Sequence, residues 1–245
     1  MTSNAQDDPR QNRNLPNYPF DELISSGRLL YYPCSGKDTR FPLERFAESI
    51  DSFWFVDLRY EKDLRRPISE FDVPCHSGYE VEARTKMKVY PEIRDPFVAL
   101  RCQLKHSQSG RRLEVLYLST DAVGVFQCLE KFQKRISVFC HRRDGISEGG
   151  SNLWWLHPDP APEGAPAFLE RVLAQVEDRG TIVSDGSNAL PEFGTSQNNG
   201  PTNFSGPKEI VFNRFRLRSE GPFDQQCTRT IGWVVASIAE TKNRS

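Results

Sequence analysis

No stretch of this 245-residue sequence is long and apolar enough to cross a bilayer, since a spanning helix needs about twenty consecutive apolar residues. Met1 to Asn17 is rich in Asn, Asp, Gln and Arg and has no apolar core of the kind a secretory signal carries. The expectation is a chain of the cytoplasm without a membrane partner. An excess of one charge is missing as well: 32 Lys and Arg stand against 33 Asp and Glu, a net charge of −1. That balance gives no global attraction for nucleic acid or anionic lipid. Arg111-Arg112, Arg142-Arg143 and the series Arg214, Arg216, Arg218 could build a local basic patch, although solvated faces account for them more simply.

Several chemical signatures are absent. The six cysteines, Cys34, Cys75, Cys102, Cys128, Cys140 and Cys227, follow no framework spacing and read as thiols of a reducing compartment. The adjacent pairs Cys75-His76 and Cys140-His141, with Cys102 and His106 between them, lack any Cys-x-x-Cys or His-x-x-x-His spacing. Neighbours on a strand point to opposite faces, so no zinc site is expected on these residues. There is no Gly-x-Gly-x-x-Gly, which makes a dinucleotide pyrophosphate an unsuitable ligand. A Gly-Lys-Ser/Thr ending is missing, which excludes a Walker loop. Ser187 lacks a Gly-x-Ser-x-Gly elbow, so a hydrolase nucleophile has little support. His157 and the pair Trp154-Trp155 are explained by structure and packing as readily as by chemistry.

What is present is a recurring pattern: apolar runs that break at their C-terminal ends into polar tips with an aspartate. Leu29 to Tyr32 runs into Pro33-Cys34-Ser35-Gly36-Lys37-Asp38. Phe53 to Val56 ends at Asp57-Leu58-Arg59. Ile136 to Cys140 runs into His141-Arg142-Arg143-Asp144, and Thr181 to Val183 into Ser184-Asp185-Gly186-Ser187. Leu116 to Leu118 breaks similarly at Ser119-Thr120-Asp121. Parallel strands of an open α/β sheet look like this, and such sheets bind ligands beyond the carboxyl ends of their strands.

Between the tips, Leu43, Phe46, Ala47 and Ile50 recur at helical spacing, and Pro42 suits a first helical turn. Phe20 to Ser26 reads as a helical turn. The segment 79–118 reads as antiparallel strands around the Gly-containing turn His106 to Gly110, inserted into or extending the parallel sheet. Residues 121–134 place Val125, Phe126 and Leu129 on a core face. Helix 166–178, with Phe168, Leu169, Val172, Leu173 and Val176 on one side, is expected to stop at Gly180 before strand 181–184. Glu209–Leu217 and Thr228–Ile238 suit an antiparallel edge hairpin. The expected fold is therefore α/β, a Rossmann-like mainly parallel sheet with an antiparallel insertion and an antiparallel C-terminal edge hairpin. Residues 1–19 read as a disordered leader, 20–245 as one domain, and 186–207 as a flexible loop, either a lid or plain disorder.

Two tips carry candidate chemistry. In the first, strand, Gly-containing turn, helix and acid-ending strand follow the plan of a nucleotide-binding half. Ser35 and Gly36 would form the turn and Asp57 would accept ribose hydroxyls, with Asp38 beside them; an ordinary βα turn explains the same residues. In the second, Gly149, Gly150 and Ser151 could wrap N–H groups around an anion while Arg142 or Arg143 forks to a carboxylate or phosphate. Asp144 and Glu148 could act as a general base or as a metal pair, and Asp185 could join them from the last tip.

Tyr31-Tyr32-Pro33-Cys34-Ser35-Gly36-Lys37-Asp38 followed by Phe53-Trp54-Phe55-Val56-Asp57 resembles the opening of a group of uncharacterised bacterial proteins. Arg142-Arg143-Asp144, Glu148-Gly149-Gly150-Ser151 and Trp154 resemble their central segment. More distantly, the arrangement is similar to the S-adenosylmethionine-dependent methyltransferases, in which Gly36 would match the first turn and Asp57 the acid after the second strand. That resemblance implies S-adenosylmethionine as cofactor and a small-molecule substrate facing Arg143, Asp144, Glu148 and Asp185. Two other readings stand beside it: a degenerate Rossmann-like binding or interaction module without turnover, and a phosphate-ester enzyme with Asp38, Asp57, Asp144 and Asp185 around a metal.

Overall fold

The computed structural model describes residues 15–74, 78–91, 95–142, 168–184, 209–212, 214–222 and 231–237. They form a mixed α/β fold in which parallel and antiparallel strand pairs both occur. The chain divides into two compact units, residues 1–27 with 35–132 and residues 28–34 with 133–245. Among the described residues no helix is long and apolar enough to cross a membrane.

The first unit holds β1 (Asn17–Pro19), β3 (Ser52–Val56), β4 (Tyr79–Tyr90), β5 (Phe97–His106) and β6 (Arg112–Ser119), in the spatial order β1-β4-β5-β6-β3. The expected antiparallel segment is a meander. β4 pairs β5 from Tyr79↔His106 to Val89↔Phe97, and β5 pairs β6 from Val98↔Ser119 to Lys105↔Arg112. It extends the unit through β6, which runs parallel to β3 with Ser52 opposite Glu114 and Val56 opposite Leu118. His106 shapes the β5–β6 turn: its N–H donates to the Arg111 carbonyl at 2.8 Å, and its Nδ1 accepts the Ser109 N–H at 3.1 Å. Asn17–Pro19, expected within the disordered leader, instead forms an edge strand parallel to Lys88–Tyr90.

All five residues of β3 are buried, the near-continuous apolar run of a strand covered on both faces. On one face Trp54 packs edge-on against Phe20 (ring centroids 5.7 Å), and Phe20 stacks on Phe132 (6.0 Å). Phe20 belongs to the short helical turn Phe20–Leu23, and Phe132 follows α3 (Ala122–Lys131). Asp121 caps α3 by accepting the Gly124 N–H at 2.8 Å, which gives that aspartate a helix-starting role. Val125, Phe126 and Leu129 are buried as their spacing requires. On the opposite face Phe55 lies 5.5 Å from Tyr117, and α2 (Tyr60–Leu64) covers β5 and β6. Before β3, α1 (Arg40–Phe46) buries Leu43 and Phe46 and continues into buried Ala47 and Ile50.

The second unit holds β2 (Leu29–Pro33), β7 (Ile136–His141), α4 (Phe168–Gln175), β8 (Val176–Ser184), β9 (Glu209–Phe212), β10 (Phe215–Pro222) and β11 (Ile231–Ser237). Its order is β2-β7-β8-β11-β10-β9; β2–β7 and β7–β8 are parallel, the remaining neighbours antiparallel. Two expectations change here. The helix ends at Gln175 and the strand begins at Val176, because Val176 pairs with Ile136 and the next partners are Val138 and Thr181. The residues between form an irregularity in which Arg179 has φ +65. Gly180 serves a close approach rather than a helix stop: a Cβ there would lie 2.6 Å from Val176 Cγ1 and 3.0 Å from the Ser137 carbonyl. The second change is at the C-terminus, where 209–217 divides into two strands, so that β9, β10 and β11 replace the expected hairpin.

Candidate functional site

The site lies within the first unit, where the turn Ser35–Asp38 meets the carboxyl end of β3. The turn is closed by the Asp38 N–H on the Ser35 carbonyl at 2.9 Å and held to β3 by the Ser35 N–H on the Val56 carbonyl at 3.3 Å. Gly36 has φ +51, a left-handed conformation that costs side-chain-bearing residues about 1–2 kcal/mol. Cys34, immediately before the turn, is also left-handed at φ +53.

Asp57 secures this turn. Its Oδ2 accepts the Gly36 N–H at 2.8 Å, and its Oδ1 accepts the Arg59 N–H at 2.8 Å. The second bond is the local turn that aspartate forms with its own backbone two residues on, and it leads directly into α2. The first residue of α2, Tyr60, donates its hydroxyl to the Gly36 carbonyl at 2.7 Å and meets Ser35 Oγ at 2.8 Å. A phenol has one proton, so with that proton on Gly36 the Ser35 hydroxyl is the donor in the second contact. Burial is the main influence that raises the Tyr60 pKa; Asp57, Asp63 and Asp38 raise it further, against the lowering effect of the Ser35 bond. Tyr60 is therefore a fixed neutral donor and not a base.

Above this network opens a cavity of about 590 Å³ lined by Gly36, Tyr60, Phe71 and Tyr117 among others, within the range of small-molecule sites. The three rings pack on one another: Tyr117 lies 5.4 Å from Tyr60 at 90° and 4.7 Å from Phe71. Tyr60 and Tyr117 are buried, whereas Phe71 is half-buried and offers surface to the cavity. Arg84 holds the segment carrying Phe71 by donating to the Ile68 carbonyl at 2.9 Å and the Phe71 carbonyl at 3.3 Å. The charged lining is balanced in number, with Lys37, Arg40 and Arg66 beside Asp63, Glu70 and Asp72 in the same cavity. Arg40 Nε also lies 2.6 Å from Glu44 Oε1.

Of the residues proposed from sequence, Ser35, Gly36 and Asp57 come together in one hydrogen-bonded network, and Asp38 acts on the same phenol. Gly36 lines the cavity, while Ser35 is buried at 3% exposure and engaged with Tyr60. Arg142 belongs to the second unit, is 1% exposed, and accepts the Tyr32 hydroxyl on its carbonyl at 2.8 Å. Arg143, Asp144, Glu148, Gly149, Gly150, Ser151 and Asp185 lie outside the described residues. Among the described residues no group of three His, Cys, Asp or Glu could hold a metal ion.

Four residues of the basic series make intramolecular contacts. Arg111 donates to the Ala47 and Ile50 carbonyls and to Asp51, Arg112 forks to Glu82, and Arg216 and Arg218 lie within 3.9 Å of Glu209. Sequence reasoning missed Tyr60, Phe71 and Tyr117. The interval Asp57 to Tyr60 carried a usable signal, an aspartate just before an apolar residue that opens a helix.

No protein-family model, no curated protein and no solved structure matches this chain.

Proposed function

We propose that the first unit binds a small molecule of the nucleotide or adenosyl class, carrying a flat ring and a polar body. The observation that carries this reading is the cavity of about 590 Å³ built directly on the Gly36 turn, in which the half-buried Phe71 ring stands among a mainly polar and charged lining. Phe71 supplies a partly exposed ring on which a base can stack, a contact worth roughly 1–3 kcal/mol per base. The charges of both signs on the wall supply partners for a polar body. A Rossmann-like fold is proposed with it: β2, β7 and β8 run parallel, α4 lies between β7 and β8 in sequence, and β11 follows antiparallel.

An enzyme of S-adenosylmethionine-dependent methyltransferase type is the form of this proposal that includes turnover. Methyl transfer requires chiefly that donor and acceptor be positioned, so the clamped turn is compatible with it. Arg143, Asp144, Glu148 and Asp185, proposed to face a substrate, lie outside the described residues. The test is a thermal shift of the full chain against S-adenosylmethionine, S-adenosylhomocysteine, nucleotides and divalent metals. A ligand at a hundred times its Kd adds about 2.7 kcal/mol of stability. A shift with an adenosyl or nucleotide ligand that disappears in Phe71→Ala supports the proposal; a shift with none of them refutes it.

A further inference from the structure

Phosphate-binding turns work by directing backbone N–H groups at the ligand, where they complement its negative charge. The Gly36 turn has the left-handed backbone that such turns use, yet its N–H faces Asp57 Oδ2 at 2.8 Å. The other carboxylate oxygen holds the Arg59 N–H at 2.8 Å, so the aspartate is fixed from both sides. Tyr60 binds the Gly36 carbonyl from behind at 2.7 Å and keeps the peptide from turning. The donor an oxyanion would need is thus committed to a fixed carboxylate.

Further carboxylates lie near the same turn. Asp38, Asp57 and Asp63 all influence the Tyr60 hydroxyl, which itself lies 2.8 Å from Ser35 Oγ in the turn. Asp63 also lines the cavity. The wall's cations, Lys37, Arg40 and Arg66, are matched in number by Asp63, Glu70 and Asp72. Arg40 is also drawn to Glu44, and Arg59 Nη1 would lie 3.8 Å from a Cβ at Gly36. Discrimination at the turn therefore rests on the occupied Gly36 N–H and not on the net charge of the wall.

We propose that Asp57 is a specificity-determining residue: by occupying the Gly36 N–H it makes the turn end of the cavity reject phosphate and accept a cationic or zwitterionic ligand. A sulfonium- or ammonium-bearing adenosyl compound fits this end, and a nucleoside polyphosphate does not. The inference rests on the ligand-binding reading above and selects within it. Like charges brought together in a binding site oppose association by more than a factor of ten, and a single half-exposed carboxylate contributes a smaller factor.

Isothermal titration of the full chain with S-adenosylmethionine, adenosine, ADP and ATP at fixed ionic strength decides the matter. The expected order is S-adenosylmethionine first, at least about ten-fold tighter than ADP or ATP. Asp63→Asn, which keeps the turn intact, should weaken S-adenosylmethionine by roughly three-fold and narrow its lead over ADP; Asp57→Asn should narrow it further. ADP or ATP binding as tightly as S-adenosylmethionine overturns the specificity and leaves ligand binding standing, as does an unchanged ratio in both variants. Adenosine binding equal to S-adenosylmethionine likewise removes the role of charge. Binding of none of the four overturns the ligand reading and this inference with it.

Discussion

The Asp57 carboxylate meets the Gly36 backbone N–H at 2.8 Å across 21 positions of sequence. That contact joins the turn after β2 to the end of β3 and fixes the floor of the cavity. Because Asp57 also accepts the Arg59 N–H, one side chain sets both the turn and the start of α2. Asp57→Ala would leave two backbone donors without this acceptor. Hydrogen bonds to a charged group contribute about 1.5–3 kcal/mol, so the urea midpoint should fall by an equivalent of about 2–3 kcal/mol. A change below about 0.5 kcal/mol, the level of an ordinary surface substitution, would show that the clamp does not hold the turn.

Gly36→Ala separates conformation from crowding. A Cβ at Gly36 would sit 3.7 Å from Asp57 Oδ2 and 3.8 Å from Arg59 Nη1, which is ordinary contact. The cost is therefore that of φ +51, about 1–2 kcal/mol. Gly36→Asn should recover part of the loss, since asparagine enters this region more easily. Equal stabilities for the alanine and asparagine variants would contradict that account.

Tyr60→Phe keeps the ring packing and removes the hydroxyl that serves Gly36 and Ser35, at a cost of about 1–3 kcal/mol. The pH dependence follows from burial, which raises the phenol pKa. The folded protein keeps a proton that the unfolded chain releases near pH ~10. The hydroxyl's contribution is thus fully present below that pH and declines as pH rises above it. Denaturation of both proteins at neutral and alkaline pH should show the gap between them shrinking, while Tyr60 remains absent from the phenolate absorbance of the folded state. A gap that widens with pH would reverse the assignment.

Lys86, on β4, is 7% exposed, and burial lowers its pKa. The folded state therefore disfavours the charged amine that the unfolded chain carries at neutral pH. Lys86→Met should stabilise by roughly 1 kcal/mol at neutral pH. The gain should diminish as pH approaches about 10, where the unfolded lysine also loses its charge. A destabilised variant at neutral pH would mean that the ammonium has favourable contacts that offset its burial.

Gly180→Ala tests the irregularity in β8. The added Cβ would meet Val176 Cγ1 at 2.6 Å, the Glu177 carbonyl at 2.9 Å and the Ser137 carbonyl at 3.0 Å. Two of these are backbone atoms, which cannot move aside as a flexible side chain would, and overpacking of this kind costs about 1–3 kcal/mol. A neutral result in thermal or urea unfolding would show that β8 can shift away from β7.

Local chemistry made much of the fold legible. The alternating and apolar runs gave most of the strands, because burial on one or two faces imposes period two or none. Gly110 and the polar residues around it marked the β5–β6 turn. The buried face of α1 was visible in Leu43, Phe46, Ala47 and Ile50. Less legible was the boundary between α4 and β8, where Val176 fits a helical face by spacing yet pairs with Ile136 as a strand residue. A β-branched residue at the edge of a helical pattern satisfies both, and only the neighbouring strand selects one.

The sequence by itself determined that Ser35, Gly36 and Asp57 stand at strand ends, since the apolar runs stop there and polar turn residues take over. Tertiary structure alone decided which way Asp57 turns. Its carboxylate could have faced a ligand; instead the proximity of the Gly36 turn gives it two backbone donors, and Tyr60 closes the network from α2. The aromatic cluster at the cavity was decided in the same way. Tyr60, Phe71 and Tyr117 are spread over 57 positions of the sequence, and no local periodicity relates them. They meet because β6 pairs with β3 and α2 packs over that face.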